Sequence, residues 1–414
     1  MTTFEQHLDR YAELVVKVGA NVQPGQLLIV ESPLENAPLT RRIVRKAYEA
    51  GAKFVQVLWD DEAVTRIRYE SAPDESFDYY PEWTARTMEM LAESGGALLH
   101  IKVPDPNLFE GIDAWKITAA SKAALTARQT YSSYVRTNKF SWCLIKAPTA
   151  AWAAKVMPEV PEPERLPSMW DAIFRMNRVY EADPIAAWQA HIDKLTKLQT
   201  FLNEKRYKSL HYQAPGTDLQ VELADGHIWI GGGDLNESGI YFVPNMPTEE
   251  VFTMPCRTGV NGTVSSTLPL NLNGRIIDKF SLTFRDGKVV GHTAEVGLDA
   301  LTRLLDMDEG MRFLGEVALV PHDSPISKMG RIFYNTGIDE NASCHFALGS
   351  AYPVNIEGGV GLSKEELLAR GGNVSLNHVD FMIGSAELNI TGELQDGSKE
   401  PIFTSGSWAI RFEE

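Results

Sequence analysis

The run of patterns along the chain predicts an α/β protein: a mostly parallel α/β domain first, then an α+β, largely antiparallel domain. Apolar runs alternate with helical periodicities over the first 155 residues. Short alternating runs with tight-turn pairs dominate from Tyr207 onward. Between the two textures lies 157–167, MPEVPEPERLP, dense in proline and expected to mark a boundary. The expected division is an N-terminal α/β domain over 1–160, a Pro-rich linker with helices over 161–205, and a C-terminal α+β domain over 206–414.

QLLIVES reads as the first strand, Ala37 to Ala50 as a helix ended by Gly51, and KFVQVLW as the second strand. A helix over Glu82–Glu93, strand ALLHIKV, a helix over Ala114–Ala127 and strand SWCLIKAP continue the alternation. Repeated βα units imply a parallel sheet covered by helices on both faces. Two helices are expected next, over Met169–Glu181 and Pro184–Asn203. Further on, Asp225-Gly226 and Asp286-Gly287 stand between alternating runs and predict hairpins, with helices over Leu298–Leu305 and Lys364–Ala369.

Composition narrows the function. With 44% hydrophobic residues in 414, the chain reads as globular and long enough for two domains. A formal net charge of −16 disfavours nucleic acid, which demands basic patches. The three cysteines, Cys143, Cys256 and Cys344, are odd in number and far apart, which fits a reducing cytoplasm without a disulfide framework. MTTFEQHLDRYAELVVKVG reads as an amphipathic helix and not a signal peptide, and no apolar run approaches the ~18 residues that span a membrane.

The densest chemistry lies in NVSLNHVDFMIGS, Asn373 to Ser385, which reads as a buried strand. His378 and Asp380 are two residues apart, so their side chains share one face. Glu316 is the only ionisable group between Phe313 and Val320, and a lone buried carboxylate is costly unless paired or bound to a cation. DENASCHFALGSAY holds Glu340, His345 and Tyr352, and PTEEVFTMP holds Glu249 and Glu250.

Taken one at a time, each has an ordinary explanation. Glu316 could pair with an Arg or Lys, His345 could be a hydrogen-bonded core histidine, and Asp380 could cap a turn. Glu250 and Glu340 sit in polar contexts that suit solvated acids, and Tyr352 suits a core or rim position. Their shared apolar settings favour a common cation instead. Oxygen and imidazole donors without clustered thiolates suit Zn, Co, Mn or Mg. Four acids and two histidines exceed the needs of a single tetrahedral zinc. They fit two ions about 3.5–4 Å apart with one carboxylate bridging, and Glu316, the most isolated, is the expected bridge. There is no HExxH, G-x-S-x-G or Walker A motif, and neither Gly231–Gly233 nor the run 358–361 completes G-x-G-x-x-G.

EVFTMPCRTGVNGTV, the isolated Glu316, DENASCHFALGSAY and NHVDFMIGS together resemble the M29 family of metallo-aminopeptidases, and the resemblance runs over essentially the whole chain. It implies an exopeptidase with two divalent ions, zinc, cobalt or magnesium. It places the metal ligands on Glu250, Glu316, Glu340, His345, His378 and Asp380, and the active-site tyrosine on Tyr352. It also implies a homodimer, about 92 kDa from twice 46.0 kDa, acting on peptides with a free N-terminus. Tyr352 would donate to the oxyanion, and Glu316 or Glu340 would move the proton to the leaving amine. Two other classes stay open from the residues alone: another dinuclear hydrolase, an amidohydrolase or phosphoesterase, and a protein with a purely structural metal. The second is disfavoured because structural zinc prefers cysteine and only Cys344 lies near a candidate ligand.

Overall fold

The computed structural model describes residues 3–102, 108–272 and 275–412. It separates into two compact units, Met1–Ala190 with Gly233–Pro247, and His191–Gly232 with Thr248–Glu414.

The first unit is α/β, as the alternation predicts. Four parallel strands, β1 (Leu27–Pro33), β2 (Phe54–Asp60), β3 (Ala97–Ile101) and β4 (Ser141–Ile145), and a short strand Asn245–Met246 form one sheet. The order is Asn245–Met246, β4, β3, β1, β2. Helix α1 (Phe4–Leu14) opens on a capping box between Thr3 and Gln6 and buries Leu8, Tyr11 and Ala12. Helices α2 (Ala37–Glu49), α3 (Glu82–Glu93), α4 (Ala114–Ala127) and α5 (Gln129–Arg136) complete the βα alternation. Ile29 and Leu98 meet Met88, Leu91 and Ala92 of α3 and Tyr131 of α5 in one apolar cluster. Val103, expected at the end of the third strand, lies outside the described residues.

One helix departs from expectation. It runs Glu162–Met176 rather than starting at Met169, with Pro163 in its first turn and Pro167 inside. A proline in the first turn lacks only an N–H that has no helical partner, so the proline-dense stretch begins a helix instead of preventing one. The next helix, Pro184–Lys205, agrees with expectation to within two residues.

The second unit is mostly antiparallel. A nine-stranded sheet runs from Leu270–Leu272 through Arg275–Arg285, Pro255–Ser265, Thr217–Leu223, Ser209–Ala214 and Asn389–Glu393 to Lys399–Thr404 and Ser407–Trp408, with Lys288–Val296 paired to Arg275–Arg285. Asp286 and Gly287, at φ +47° and +79°, turn Arg275–Arg285 into Lys288–Val296 as expected. The Asp225-Gly226 hairpin does not form. Both edges of Thr217–Leu223 are taken by Ser209–Ala214 and Pro255–Ser265, so Ile230–Gly231 pairs elsewhere. Leu298–Leu305 and Lys364–Ala369 are helical as predicted.

A second sheet in this unit, of five strands, carries Ile230–Gly231 at one edge, then β5 (Val251–Thr253), β6 (Leu314–Leu319), β7 (His345–Gly349) and β8 (His378–Met382). One face, with Val317, Leu319, Phe346, Leu348, Val379 and Phe381, packs into the large core shared with the nine-stranded sheet. Tyr212 and Phe346 rings lie 4.9 Å apart there, and Phe280 and Phe381 rings 5.6 Å. The strand at Asn373–Ser385 is shorter than expected, His378–Met382, because Asn373 spends its side-chain amide on the carbonyls of Gly310 and Gly349.

Candidate metal centre

The register of β5–β8 places the candidate ligands on the face opposite that core. Glu316 stands opposite Ala347, which stands opposite Asp380, while Ala318 faces His345 and Gly349 faces His378. Side chains directly opposite in an antiparallel pair share a face. Glu316, His345, His378 and Asp380 therefore project together, with only Ala318, Ala347 and Gly349 between them. Val251 pairs with Leu319, which puts Glu250, one residue before β5, on this same face. A bulge at Gly315 re-aims Glu316, and a Cβ there would lie 2.4 Å from the Gly349 carbonyl oxygen, so only glycine fits.

The result is two clusters joined by one residue. His345 Nε2 lies 3.3 Å from Glu250 Oε2 and 3.4 Å from Glu316 Oε1. His378 Nε2 lies 3.5 Å from Glu316 Oε2 and 3.1 Å from Asp380 Oδ1. Glu250, Glu316 and His345 converge as one group able to hold a cation, and Glu316, His378 and Asp380 as another. Glu316 is only 5% exposed, and its partners are the two histidines rather than the Arg or Lys that would explain it as an ordinary ion pair.

Backbone carbonyls fix both imidazoles. His345 Nδ1 lies 3.1 Å from Ser343 O, and His378 Nδ1 lies 2.7 Å from Ser350 O. Each Nδ1 therefore carries the proton and donates it to a carbonyl, leaving Nε2 aimed at carboxylates. An unprotonated Nε2 and a carboxylate repel unless a proton or a cation lies between them. With protons alone, burial opposes the charged ring, yet the Asp380 and Glu316 carboxylates push His378 up to about 9. Burial likewise opposes charge on His345, and its bonds to Glu250 and Glu316 override it, raising it well above the ordinary histidine value. Burial raises Glu316 above the usual carboxylate range. Burial pushes Asp380 up, but the His378 bond together with the charges of His378 and His345 leaves it lowered. These donors fit divalent cations: oxygen and imidazole nitrogen converge, negative charge is in excess, and no thiolate joins them. Cys344 turns away, its Sγ 3.3 Å from Val320 O.

Glu340 joins neither triad. It opens the short 3₁₀ turn Glu340–Ala342 and is raised well above its ordinary value, first by burial and then by the charges of Asp380 and Glu250, which puts it beside the cluster. The Tyr352 ring lies 4.6 Å from the His378 ring and 6.4 Å from that of Phe252. The residue as a whole is 42% exposed, but its hydroxyl end is turned inward and is held in the protonated form by burial and then by the Glu316 and Asp380 charges.

Sequence reasoning missed the supports. Asn341 Oδ1 accepts the Glu249 N–H at 2.7 Å, tying the approach to β5 to the Glu340 turn. Glu249, the other acid of the TEE run, lies by His191 instead, 3.5 Å from its Nε2. Asn341 was at least inside the motif DENASCH, whereas carbonyl anchors leave no trace in side-chain identity.

The profile of the family described as thermophilic metalloprotease (M29) matches residues 4–408. Aminopeptidase 2 of Geobacillus stearothermophilus is 55% identical over 410 residues, covering 99% of each chain. Aminopeptidase AmpS of Bacillus subtilis (strain 168) is 50% identical over 99% of this chain and 100% of its own. The solved structure of wild-type AmpT from Thermus thermophilus superposes with a TM-score of 0.93 at 40% identity, covering 99% of this chain and 100% of that one. The chain belongs to the M29 family of metalloproteases.

Proposed function

We propose that this metallo-aminopeptidase depends on two divalent ions and releases N-terminal residues from peptides with a free N-terminus. One observation carries the two-ion reading: Glu316 presents one carboxylate oxygen to His345 and the other to His378, at 3.4 and 3.5 Å. Glu250, Glu316 and His345 would hold one ion and Glu316, His378 and Asp380 the other, with Glu340 a further ligand or a base beside them. Zinc, cobalt, magnesium or manganese held there would supply Lewis acidity for activating water and polarising a scissile carbonyl, and a position for a substrate α-amine.

The protein's own groups do the rest. The Ser343 and Ser350 carbonyls keep both imidazoles presenting Nε2. Tyr352, its proton firmly held, donates a hydrogen bond to the oxygen that gains charge as the carbonyl becomes tetrahedral. Glu340, whose burial favours the protonated carboxyl, is suited to pass a proton to the leaving amine, and Glu316 is the other carboxylate in reach. The catalytic part is then 206–414, which contains all these residues, and the working form is a cytoplasmic homodimer.

Ion titration into chelator-stripped enzyme, followed by elemental analysis and aminoacyl-p-nitroanilide hydrolysis, tests this. Full turnover should need two ions per chain, and an N-acetylated substrate should not be cleaved. Full turnover with one ion removes the bridge. Turnover of a phosphate ester in place of the anilide returns the chain to another dinuclear hydrolase.

A further inference from the structure

The carbonyl that orients His378 belongs to Ser350, and one buried asparagine holds the chain on both sides of it. Gly349, at φ +103°, ends β7 and lets the backbone turn there. Asn373 Nδ2 donates to the Gly349 carbonyl at 2.6 Å, which fixes the peptide unit before Ser350. The main-chain carbonyl of Asn373 accepts the Ala351 N–H at 2.9 Å, which fixes the unit after it. A peptide unit is planar and trans, so its C=O points opposite to its N–H. Tying down the Ala351 N–H therefore sets the direction of the Ser350 carbonyl, which lies 2.7 Å from His378 Nδ1.

Asn373 is itself held in one orientation. It is fully enclosed, at 0% exposure. Its second amide hydrogen goes to the Gly310 carbonyl at 2.8 Å, and its Oδ1 accepts from Arg257 Nε at 3.1 Å. An arginine can only donate and a carbonyl can only accept, so a flipped amide would set like against like at all three partners. The Arg257 guanidinium is steadied by the Phe313 ring, whose centre is 3.7 Å away, and by Glu309 at 3.5 Å. Its side chain stays 23% exposed and lines a cavity of about 800 Å³ with Cys256, Glu309 and Arg370. Neither Asn373 nor Arg257 has a part in the peptidase chemistry set out above.

We infer that Asn373 is a positioning residue for the metal centre, fixing the carbonyl that orients His378, and that Arg257 fixes Asn373. The inference rests on the reading of His378 as an ion ligand. Groups that orient a metal-bound imidazole typically change metal affinity by about 10–100-fold when they are removed. A bond network that only stabilised the fold would show no preference between the two ions. This one reaches His378 through Ser350, whereas His345 takes its carbonyl from Ser343 at the other end of β7.

Dialysis of the full-length, cobalt-loaded enzyme against graded chelator, read by elemental analysis, tests the arrangement. Asn373→Asp keeps the shape and the Arg257 contact but turns an acceptor toward the Gly310 and Gly349 carbonyls. It should weaken one of the two ions about tenfold or more and leave the other as in wild type. His378→Ala, which should release that same ion, identifies it. Arg257→Leu, a change at the rim of a cavity that the fold can absorb, should loosen this ion too. Arg257→Lys restores a donor and should hold the ion more tightly than Arg257→Leu does. Wild-type affinity in both Asn373→Asp and Arg257→Leu, or equal weakening of both ions, overturns the inference. If wild type holds a single ion, the two-ion reading fails by itself. The positioning role then stands if that ion loosens in Arg257→Leu and tightens again in Arg257→Lys, and falls if it does not.

Discussion

Each unit contains a sheet of five strands, and the two sheets treat buried charge in opposite ways. In the parallel sheet, the acid Glu31 meets His100, with Arg128 and Lys102 to balance it. In the antiparallel sheet of the second unit, Glu250, Glu316, Glu340 and Asp380 gather around two histidines, and among the described residues none of the four meets a Lys or Arg. The first arrangement is complete with side chains alone. The second is not, because imidazoles pinned at Nδ1 can offset four carboxylates only by holding extra protons. Excess charge on a buried face therefore marks where the protein requires cations.

Removing Glu316 should break this contrast most severely. Glu316→Gln is expected to lower kcat/KM by on the order of 10³ or more, as several kcal/mol of metal-derived stabilisation is lost. Bound metal should fall with it while circular dichroism holds. A variant with full metal content and turnover would sink the bridging role. Tyr352→Phe comes next, with kcat falling by about 10²–10³ and metal content unchanged, because a single oxyanion donor is lost. Equal kcat in the variant would make Tyr352 a packing residue.

The pH dependence separates the sheets without mutation. In the metal-free chain His378 is raised to about 9 from an unfolded value of about 6.5. Its imidazolium contributes stability that is fully present below about pH 6.5 and is lost as pH rises through about 9. Metal needs the neutral ring, so loading should release protons in this window, and the metal-induced rise in Tm should be larger at pH 9 than at pH 6. A Tm increment that shrinks with rising pH would contradict the site. Gly315→Ala should cost about 2 kcal/mol by denaturant unfolding, since the new Cβ meets the Gly349 carbonyl oxygen, and should weaken metal binding by disturbing Glu316. The smallest effect is expected in the other sheet. Glu31→Gln should leave metal content and peptidase turnover at wild-type values and cost about 1 kcal/mol or less, as befits a partly exposed pair.

The two sheets also differed in how readily they could be read. Parallel strands inside the sheet are nearly continuous apolar runs, so β1, β3 and β4 stand out in the sequence with their helices between them, and the more exposed edge strand β2 is still apolar enough to be read. In the second unit, strands such as Ile230–Gly231 are too short for any periodicity, and the Asp225-Gly226 turn was indistinguishable in composition from the Asp286-Gly287 hairpin. Which of the two forms a hairpin depended on whether a neighbouring strand edge was free. For the site, the i, i+2 rule was enough to set His378 beside Asp380, and isolation was enough to single out Glu316. It took the register of four strands to bring Glu250 and His345 to the same place, and register is a long-range property no local window contains. The carbonyl anchors were illegible for a simpler reason: every residue has a carbonyl.

Those anchors sit at the two ends of β7. Ser343 lies two residues before its first useful ligand, His345, and Ser350 directly follows its last residue, Gly349. One short stretch of extended backbone, rising ~3.4 Å per residue, therefore acts as a gauge block for the spacing of the two rings. Its length is written in residue count and not in side-chain identity. Side-chain replacements along β7 would retune the surroundings of the rings and leave their separation alone. Adding or deleting a single residue there would change the gauge itself, and would turn half of the strand's side chains from the site to the core.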